Sequence, residues 1–335
     1  MKREIAIHPE RPALILAPMD GLTDAPMRAL QGEIGAFDFA VSEFIRVSSH
    51  PVPEKVFHRE VPELLSGGLT TTGLPVQVQI LGGSPELMAE SAVNAVLAGA
   101  RALDINFGCP APTVNRHDGG ASILKCPQRV QTIVAAVRSA VPAEIPVSAK
   151  VRLGWNDIGE IDAIADKVCE GGANWLVVHA RTKMQKYAPP VFWKSLGRIR
   201  ERLDIPLVAN GDIWTTDDFL RCREETGCLH FMLGRGAIAD PSLGHQIAAV
   251  LAQKPLDSVP GVDWVHLLRA LSSHSQNQIE PRTKKTLHRL KQWLNVARRY
   301  GDFCHFDAVK RADTEDTFFE ILSSRCSRVR AEAQA

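Results

Sequence analysis

Residues 206–236, PLVANGDIWTTDDFLRCREETGCLHFMLGRG, contain the pattern that decides the fold. An apolar run from Pro206 to Asp212 ends in polar residues and glycine, and a helix-length segment follows it. A second apolar run, from His230 to Arg235, ends in the same way. Both runs are apolar on both alternations, as expected of parallel strands that are covered on both faces. The stretch therefore predicts a strand, a helix and a second parallel strand.

The same alternation extends over most of the chain. Helix-length segments separate eight short apolar runs: Ala13 to Met19, Phe39 to Phe44, Val76 to Leu81, Ala102 to Phe107, Pro146 to Leu153, Trp175 to Arg181, Pro206 to Asp212 and His230 to Arg235. Eight strands in one series favour an α/β fold of the closed (β/α)8 TIM-barrel type over a doubly wound sheet. The longest interval, between Phe44 and Val76, is rich in Pro, Gly and Thr, and we expect a loop there at the barrel rim.

A second unit is expected after the barrel. The last barrel helix is predicted from Ala239 to Gln253, and a breaker-rich linker follows at 254–261. Three amphipathic patterns then predict a small all-α helical bundle, at 264–275, 283–300 and 317–330. The predicted division is a barrel domain at 1–253 and a helical domain at 254–335.

The composition is that of an ordinary globular enzyme. The chain is 45% hydrophobic and its formal net charge is +1, so the global charge indicates no partner. The first residues lack a secretory signal, and no stretch approaches the ~20 apolar residues of a membrane helix, so we expect a cytoplasmic protein without a membrane contact. The 7 cysteines are scattered and form no Cys-x-x-Cys pair, which indicates reduced thiols and no metal site.

The predicted helical domain carries the basic charge. Residues 264–335 hold 13 Lys and Arg against 8 Asp and Glu, a surplus of +5. Lys and Arg residues cluster within one predicted helix and its entry: Arg282, Lys284, Lys285, Arg289, Lys291, Arg298 and Arg299. This density suits phosphate contacts, although charged residues on a helix are more often its solvated face.

Nearly every predicted strand ends in polar residues, and in β/α barrels the chemistry lies at these carboxyl ends. The residues are Met19-Asp20-Gly21, Glu43, Gln79, Asn106 with Cys109, Lys150 with Arg152, His179 with Arg181, Asn210-Gly211-Asp212 and Gly234-Arg235. The loops after the seventh and eighth strands are the usual phosphate cradle of such barrels, unless Gly211 and Gly236 serve only tight turns. Lys150 interrupts an apolar run, so we expect it to meet an anionic or electron-rich ligand.

The strongest local feature is Asn106-Phe107-Gly108-Cys109-Pro110, directly after the fourth run. A strand end followed by Gly, Cys and Pro is expected to present the thiol over the barrel mouth. An ordinary thiol is protonated near neutral pH, so Cys109 can donate a proton, whereas a nucleophile would need an activating base. The alternative is a buried structural cysteine.

Together these segments resemble the tRNA-dihydrouridine synthase family. The similar segments are APMDG at 17–21, the Cys109 segment, SAKVRLG at 148–154, HART at 179–182, NGD at 210–212 and GRG at 234–236. The resemblance implies a barrel with a carboxyl-terminal helical domain, FMN as prosthetic group, NADPH as reductant and tRNA as substrate. It also implies that uridine becomes 5,6-dihydrouridine, with hydride passing from flavin N5 to C6 of a flipped-out base and a proton from Cys109 to C5.

The resemblance also implies roles for individual residues. FMN contacts are implied for Pro18, Met19, Asp20, Gln79, Lys150, Asn210, Gly211, Asp212, Gly234 and Arg235, with His179 near the cofactor. Asn106 is implied to help seat the uracil, and we predict Arg152 and Arg181 as further substrate contacts.

Within the family, Phe44-Ile45-Arg46-Val47 and Leu290-Lys291-Gln292-Trp293-Leu294 resemble the C subfamily, which acts on uridine 16 of the D-loop. This resemblance implies tRNA contacts from Arg46, Arg289, Lys291, Val296 and Lys310. The sequence departs from the family where Ala111 and Pro112 replace a Ser and often a Lys, so the catalytic loop is expected to move or to touch RNA differently. We also expect a monomer.

Three alternatives stay open at this point. The same chemistry could act on another D-loop uridine. A different FMN barrel could reduce a free pyrimidine or an enone, and it would need no basic tail. An RNA-binding protein with an inactive barrel is the third, although the full set of strand-end groups argues against it.

Overall fold

Parallel strands form the centre of the fold. The computed structural model describes residues 5–276 and 283–333, and among these the strands are β1 (Ala13–Leu16), β2 (Phe39–Val41), β3 (Ile45–Arg46), β4 (Val76–Leu81), β5 (Leu103–Asn106), β6 (Val147–Arg152), β7 (Trp175–His179), β8 (Leu207–Asn210) and β9 (His230–Leu233). β1 pairs in parallel with both β2 and β9, and β2 also pairs with β4, which closes the sheet. The predicted TIM barrel is confirmed.

The second predicted run, Phe39 to Phe44, contains β2, and the short strand β3 begins directly after the run. β2 pairs with β1 and β4, whereas β3 continues along β4 alone, so the barrel keeps eight strand positions. Between them the Ser42 hydroxyl replaces a backbone acceptor and receives the N–H of Gln79 at 3.0 Å. The Glu43 carboxylate then accepts from the N–H of Gly21 at 2.5 Å. The interruption therefore joins the second strand position to the loop after β1.

Helices surround the barrel and follow it. They are α1 (Ala25–Ile34), α2 (Glu54–Glu60), α3 (Pro85–Leu97), α4 (Pro112–Asn115), α5 (Pro127–Ala140), α6 (Ile161–Glu170), α7 (Lys194–Arg200), α8 (Thr216–Thr226), α9 (Arg235–Ala239), α10 (Leu243–Leu251), α11 (Trp264–Gln276), α12 (Thr283–Tyr300), α13 (Phe306–Val309) and α14 (Glu315–Ala333). Shorter 3-10 helices lie at Pro62–Ser66, Gly120–Lys125, Ile158–Glu160 and Leu256–Ser258. The helix predicted from Ala239 to Gln253 corresponds to α10, and the short helix α9 precedes it. Within 5–276 and 283–333, no helix is long and apolar enough to cross a membrane.

The interval after β3 is not the rim loop that the sequence predicted. α2 and the 3-10 helix at Pro62–Ser66 pack on the outside of the barrel, where Phe57 is fully buried. Arg28 of α1 donates two hydrogen bonds of 2.8 Å to the carboxylate of Glu63, and both side chains are buried. A helix of seven residues is too short to show a periodic pattern among so many Pro and Gly residues.

The barrel interior is apolar on one side and polar on the other. β1, β2 and β7 to β9 contribute an apolar cluster that includes Phe39, Trp175 and Met232. β4, β5 and β6 contribute a buried, hydrogen-bonded polar layer made of Gln77, Gln79, Asp104 and Ser148. The polar layer lies directly below the strand ends that carry Asn106 and Lys150.

The helices after the barrel build a second core against it. Trp293 of α12 is 1% exposed, and its ring N–H donates to the carbonyl oxygen of Ile238 in α9 at 2.8 Å. Met27 and Leu30 of α1 belong to the same cluster. The predicted helical bundle is confirmed, and α13 is an addition that four residues are too few to predict. The domain boundary after residue 253 stays a prediction.

Glu63→Gln should destabilise the protein because it leaves Arg28 as a buried guanidinium without an anionic partner. We expect the free energy of unfolding to fall by about 3–5 kcal/mol, measured by urea denaturation. Glu60→Gln is the matched control, since its ion pair with Arg59 is exposed and such pairs contribute about 0–1 kcal/mol. Equal losses in the two variants would show that the buried pair does not hold the segment after β3 to α1.

Candidate active site

A cavity of about 340 Å³ opens at the carboxyl ends of the barrel strands. Its lining includes every residue predicted to contact the cofactor: Pro18, Met19, Asp20, Gln79, Lys150, His179, Asn210, Gly211, Asp212, Gly234 and Arg235. Asn106, Cys109 and Arg152 line the same cavity. The closed sheet thus brings together side chains that are far apart in the sequence.

The loops after β8 and β9 form one end of this cavity. Gly211 has φ of +117°, and a Cβ there would lie 2.7 Å from Cδ2 of His179. A Cβ on Gly236 would lie 2.2 Å from the carbonyl oxygen of Ile213. Only glycine fits at either position, and the contact between Gly236 and Ile213 brings the backbones of the two loops close together, as an anion cradle requires.

Positive charge collects around this end of the cavity. The charges of four cationic side chains act on His179, those of Arg152, Lys150, Arg181 and Arg235. Burial and then these charges hold the pKa of His179 well below its usual value, so the ring is neutral at neutral pH. The carboxylate of Asp212 pairs with Arg181 and lies 3.7 Å from Arg235. The cations outnumber the carboxylates that line the cavity, which suits an anionic ligand.

Lys150 has few partners within the protein. Its Nζ donates to Oδ1 of Asn210 at 3.1 Å. Loss of hydration, followed by the charge of Arg152, lowers the pKa of Lys150 to about 8, and the charge of Asp104 opposes this shift. An ammonium group held in this way is stabilised by an anionic or electron-rich ligand in the cavity.

Cys109 lies on the turn after β5 and faces the cavity. Oδ1 of Asn106 accepts from the N–H groups of Gly108 and Cys109 at 2.8 and 3.0 Å. Burial raises the pKa of the Cys109 thiol, the charge of Asp20 raises it further, and Arg152 lowers it. The thiol is therefore protonated at neutral pH and can donate a proton.

Ala111 and Pro112 give the loop after Cys109 a defined conformation. Pro112 begins α4, and Nδ2 of Asn115 donates to the carbonyl oxygens of Cys109 and Ala111 at 3.0 and 2.7 Å. Farther along, the carboxylate of Asp118 accepts hydrogen bonds of 2.7 and 2.6 Å from Arg129. The loop is thus hydrogen-bonded near both ends, and its contacts with RNA stay a prediction.

Arg181 lines neither cavity, and its contact with the substrate stays a prediction. It is fully buried, and its guanidinium is bonded to the carboxylate of Asp212 and to the carbonyl oxygen of Ala188. An arginine near a strand end looks the same in sequence whether it faces solvent or a buried carboxylate. In the structure, Arg181 holds the loop after β8, which carries Asp212.

Arg152 and Arg289 also use their donors within the protein. Arg152 is 2% exposed and donates to the carbonyl oxygens of Gly108 at 2.8 Å and Lys186 at 2.6 Å. Arg289 of α12 donates to the carbonyl oxygen of Gly21 at 2.5 Å, in the loop after β1. Both arginines therefore position loops at the cavity, and their direct contacts with tRNA stay predictions.

Arg46 lies near Cys109, and its contact with tRNA stays a prediction. With Phe44, Cys109 and Tyr187 it lines an adjoining cavity of about 470 Å³. Because Cys109 lines both cavities, the thiol stands at their junction.

The other predicted tRNA contacts lie on the helices after the barrel. Nζ of Lys291 donates to the carbonyl oxygen of Ala312 at 2.5 Å, and Val296 is half-buried against the second core. Lys310 is exposed and pairs with Asp307 at 2.6 Å. Of the basic cluster, Arg298 and Arg299 are exposed, Arg282 lies outside the described residues, and so do the side chains of Lys284 and Lys285.

Three aromatic rings enclose Arg235, and no pattern in the sequence predicted them. The guanidinium carbon lies 4.9 Å from the ring centre of Tyr187, 5.0 Å from Trp214 and 5.3 Å from Tyr300. Trp214 and Tyr300 stack with their ring centres 5.0 Å apart. The chain has only 2 tyrosines, and both pack against Arg235. This scarcity is the one sequence feature that could have drawn attention to them. Through Tyr300, α12 packs against Arg235, which lines the cavity.

Residues 15–325 match the family described as dihydrouridine synthase (Dus). The chain belongs to the dihydrouridine synthase family. A Ralstonia nicotianae protein named tRNA-dihydrouridine(16) synthase is 42% identical over 322 residues, which are 94% of this chain and 97% of the relative. The protein of the same name from Haemophilus influenzae is 40% identical over 307 residues, 90% of this chain and 96% of that one.

Solved structures of other enzymes share the fold of this dihydrouridine synthase family member. Histamine dehydrogenase from Rhizobium sp. 4-9 superposes with a TM-score of 0.55 at 12% identity, over 78% of this chain and 49% of its own. A 2-naphthoyl-CoA reductase gives a TM-score of 0.55 at 11% identity, over 74% of this chain and 51% of its own. At these identities the likeness extends to the fold alone.

Asp20→Asn should make Cys109 react faster with iodoacetamide, because removal of the nearby negative charge lowers the pKa of the thiol. We expect a rate about two- to tenfold higher at pH 8, measured by mass spectrometry of the Cys109 peptide. Cys126 and Cys304 are exposed and serve as comparison sites in the same sample, where their rates should not change. An unchanged Cys109 rate would exclude an influence of Asp20 on the thiol.

Proposed function

We propose that this chain reduces uridine 16 in the D-loop of tRNA to 5,6-dihydrouridine, with FMN as prosthetic group and NADPH as reductant. Membership of the dihydrouridine synthase family makes it an oxidoreductase. Relatives that carry the name tRNA-dihydrouridine(16) synthase and are 40–46% identical support position 16 and the C subfamily. The observation that carries the chemistry is that Cys109 lines a cavity whose other end is cationic and rich in glycine.

The residues of the cavity fit FMN. The loops after β8 and β9 would hold its phosphate, with Gly211, Gly234 and Arg235 as the nearest groups. Lys150 has an ammonium group with one neutral partner, which suits an electron-rich ring system. When bound, FMN supplies the hydride that reduces C6 of the uracil.

Cys109 supplies the proton in this proposal. Its S–H bond breaks as a C–H bond forms at C5 of the uracil, and the thiolate that remains takes a proton from water. His179 is neutral and buried beside four cations, so it is not the proton donor. The adjoining cavity lined by Phe44, Arg46 and Tyr187 would receive the extruded nucleotide, because a base in RNA must leave its stack to reach Cys109.

The helices after residue 253 would bind the body of the tRNA. Arg298, Arg299 and Lys310 are exposed there, and basic side chains attract the phosphate backbone. We further propose that residues 254–335 act as a tRNA-binding domain, and that the protein works as a monomer in the cytoplasm.

Expression in cells that lack all dihydrouridine synthases tests the proposed function. The wild-type chain should restore dihydrouridine at position 16, mapped by sequencing of the tRNA. Cys109→Ala should lower the single-turnover rate by about 10²–10⁴-fold, because it removes the general acid. Its flavin absorbance should be retained, since the thiol is not among the groups that hold the cofactor.

Cys304→Ala is the matched control for that experiment, because Cys304 is exposed and does not line the cavity. It should keep full activity. Dihydrouridine at another position would refute the assignment to uridine 16. Undiminished product from Cys109→Ala would refute the acid role.

FMN binding should weaken as the pH rises through 8. The pKa of Lys150 is lowered to about 8, so its positive charge is present below that pH and is lost above it. In flavin-free protein, the FMN dissociation constant should then rise by up to about tenfold per pH unit, measured by fluorescence titration. Lys150→Met should bind FMN more weakly and show a flatter pH profile. Parallel profiles in the two proteins would exclude Lys150 from FMN binding.

A further inference from the structure

We infer that Asp104, buried in the barrel below the cavity, sets the orientation of the Cys109 turn through a directional chain of hydrogen bonds. Asp104 is a positioning residue, because it does not line the cavity and acts through two amides. The catalytic consequence, proton donation by Cys109, rests on the proposed function. The chain of hydrogen bonds does not.

The chain runs from Asp104 to Cys109 in three steps. Nε2 of Gln79 donates to Oδ2 of Asp104 at 2.7 Å, and Nδ2 of Asn106 donates to Oε1 of Gln79 at 2.8 Å. Oδ1 of Asn106 then accepts from the N–H groups of Gly108 and Cys109 at 2.8 and 3.0 Å. Asp104 and Gln79 are 1% and 0% exposed, so water does not substitute for these partners.

The direction of the chain follows from what each group can donate or accept. An ionised carboxylate only accepts, so Gln79 must turn its NH₂ group toward Asp104. Its carbonyl oxygen then faces Asn106, which must turn its own NH₂ group toward Gln79. Asn106 therefore presents its carbonyl oxygen to the turn, where two N–H groups need an acceptor. If either amide were reversed alone, donor would meet donor.

Ser148 holds the same carboxylate from its other side. Its hydroxyl donates to Oδ1 of Asp104 at 2.5 Å and accepts from Nε2 of Gln77 at 2.9 Å. Ser148 is as deeply buried as Gln79, but its bonds lead away from Asn106 and the turn. The polar layer thus contains one branch that reaches Cys109 and one that does not.

Asp104→Asn tests the branch that reaches Cys109. The new NH₂ group can face Gln79 and reverse both amides, which leaves the N–H groups of Gly108 and Cys109 facing the NH₂ of Asn106. We expect their amide hydrogen exchange to rise about tenfold, as the loss of one or two net hydrogen bonds implies. It would be measured by mass spectrometry on the flavin-loaded full chain, with the single-turnover rate of uridine reduction expected to fall by a similar factor.

Ser148→Ala is the matched control, and it should leave exchange in the turn unchanged. Adding Asn106→Asp to Asp104→Asn should restore protection, because the reversed chain then ends in a carboxylate that accepts from both N–H groups. The inference is overturned if Asp104→Asn leaves the turn protected, if Ser148→Ala exposes it equally, or if the double variant is not restored. Since hydrogen exchange needs no substrate, these outcomes are independent of the proposed function.

Discussion

The structure depends on how positive charge is buried at the mouth of the barrel. An unpaired guanidinium is costly to bury, yet Arg152 is 2% exposed and Arg181 is 0% exposed. Arg181 is compensated by Asp212, and Arg152 by carbonyl oxygens of loops, including that of Gly108. The bonds that compensate these buried charges therefore also fix two loops at the cavity, the Cys109 turn and the loop after β8. The remaining charge, on Lys150 and Arg235, is available to a ligand.

Contacts of arginine side chains also join the helices after residue 253 to the site. Arg289 bonds the loop after β1, which carries Met19 and Asp20 into the cavity wall, and Tyr300 packs over Arg235. Removing these helices would also uncover Met27 and other apolar residues of the shared core. A truncated chain that lost activity would therefore not distinguish an RNA substrate from a small one, whereas point substitutions on the exposed basic surface would.

What the sequence could predict was local. The strand runs and the Cys109 segment carry their information in adjacent residues, so the barrel and the position of the thiol at its mouth followed. The sequence did not predict which residues pair over long distances. Arg181 and Arg235 both stand near strand ends, yet Arg181 is buried in an ion pair with Asp212 and Arg235 lines the cavity. The enclosure of Arg235 combines rings at 187, 214 and 300, and no spacing in the sequence indicates that they meet. The prediction of a rim loop after β3 was wrong, because the helix in that segment is too short to show a periodic pattern.

The electrostatics of Cys109 serve two opposed requirements. As the proposed proton donor, the thiol must be protonated before it reacts, and burial and the charge of Asp20 favour this state by raising its pKa. The thiolate left after proton transfer must also be stable, and Arg152 and Arg46 favour that state because they lower the same pKa. Since Arg152 is held on the carbonyl oxygen of Gly108, its charge stands in place before the reaction and needs no reorganisation during it. One buried arginine thus fixes the turn and stabilises the charge that the turn develops.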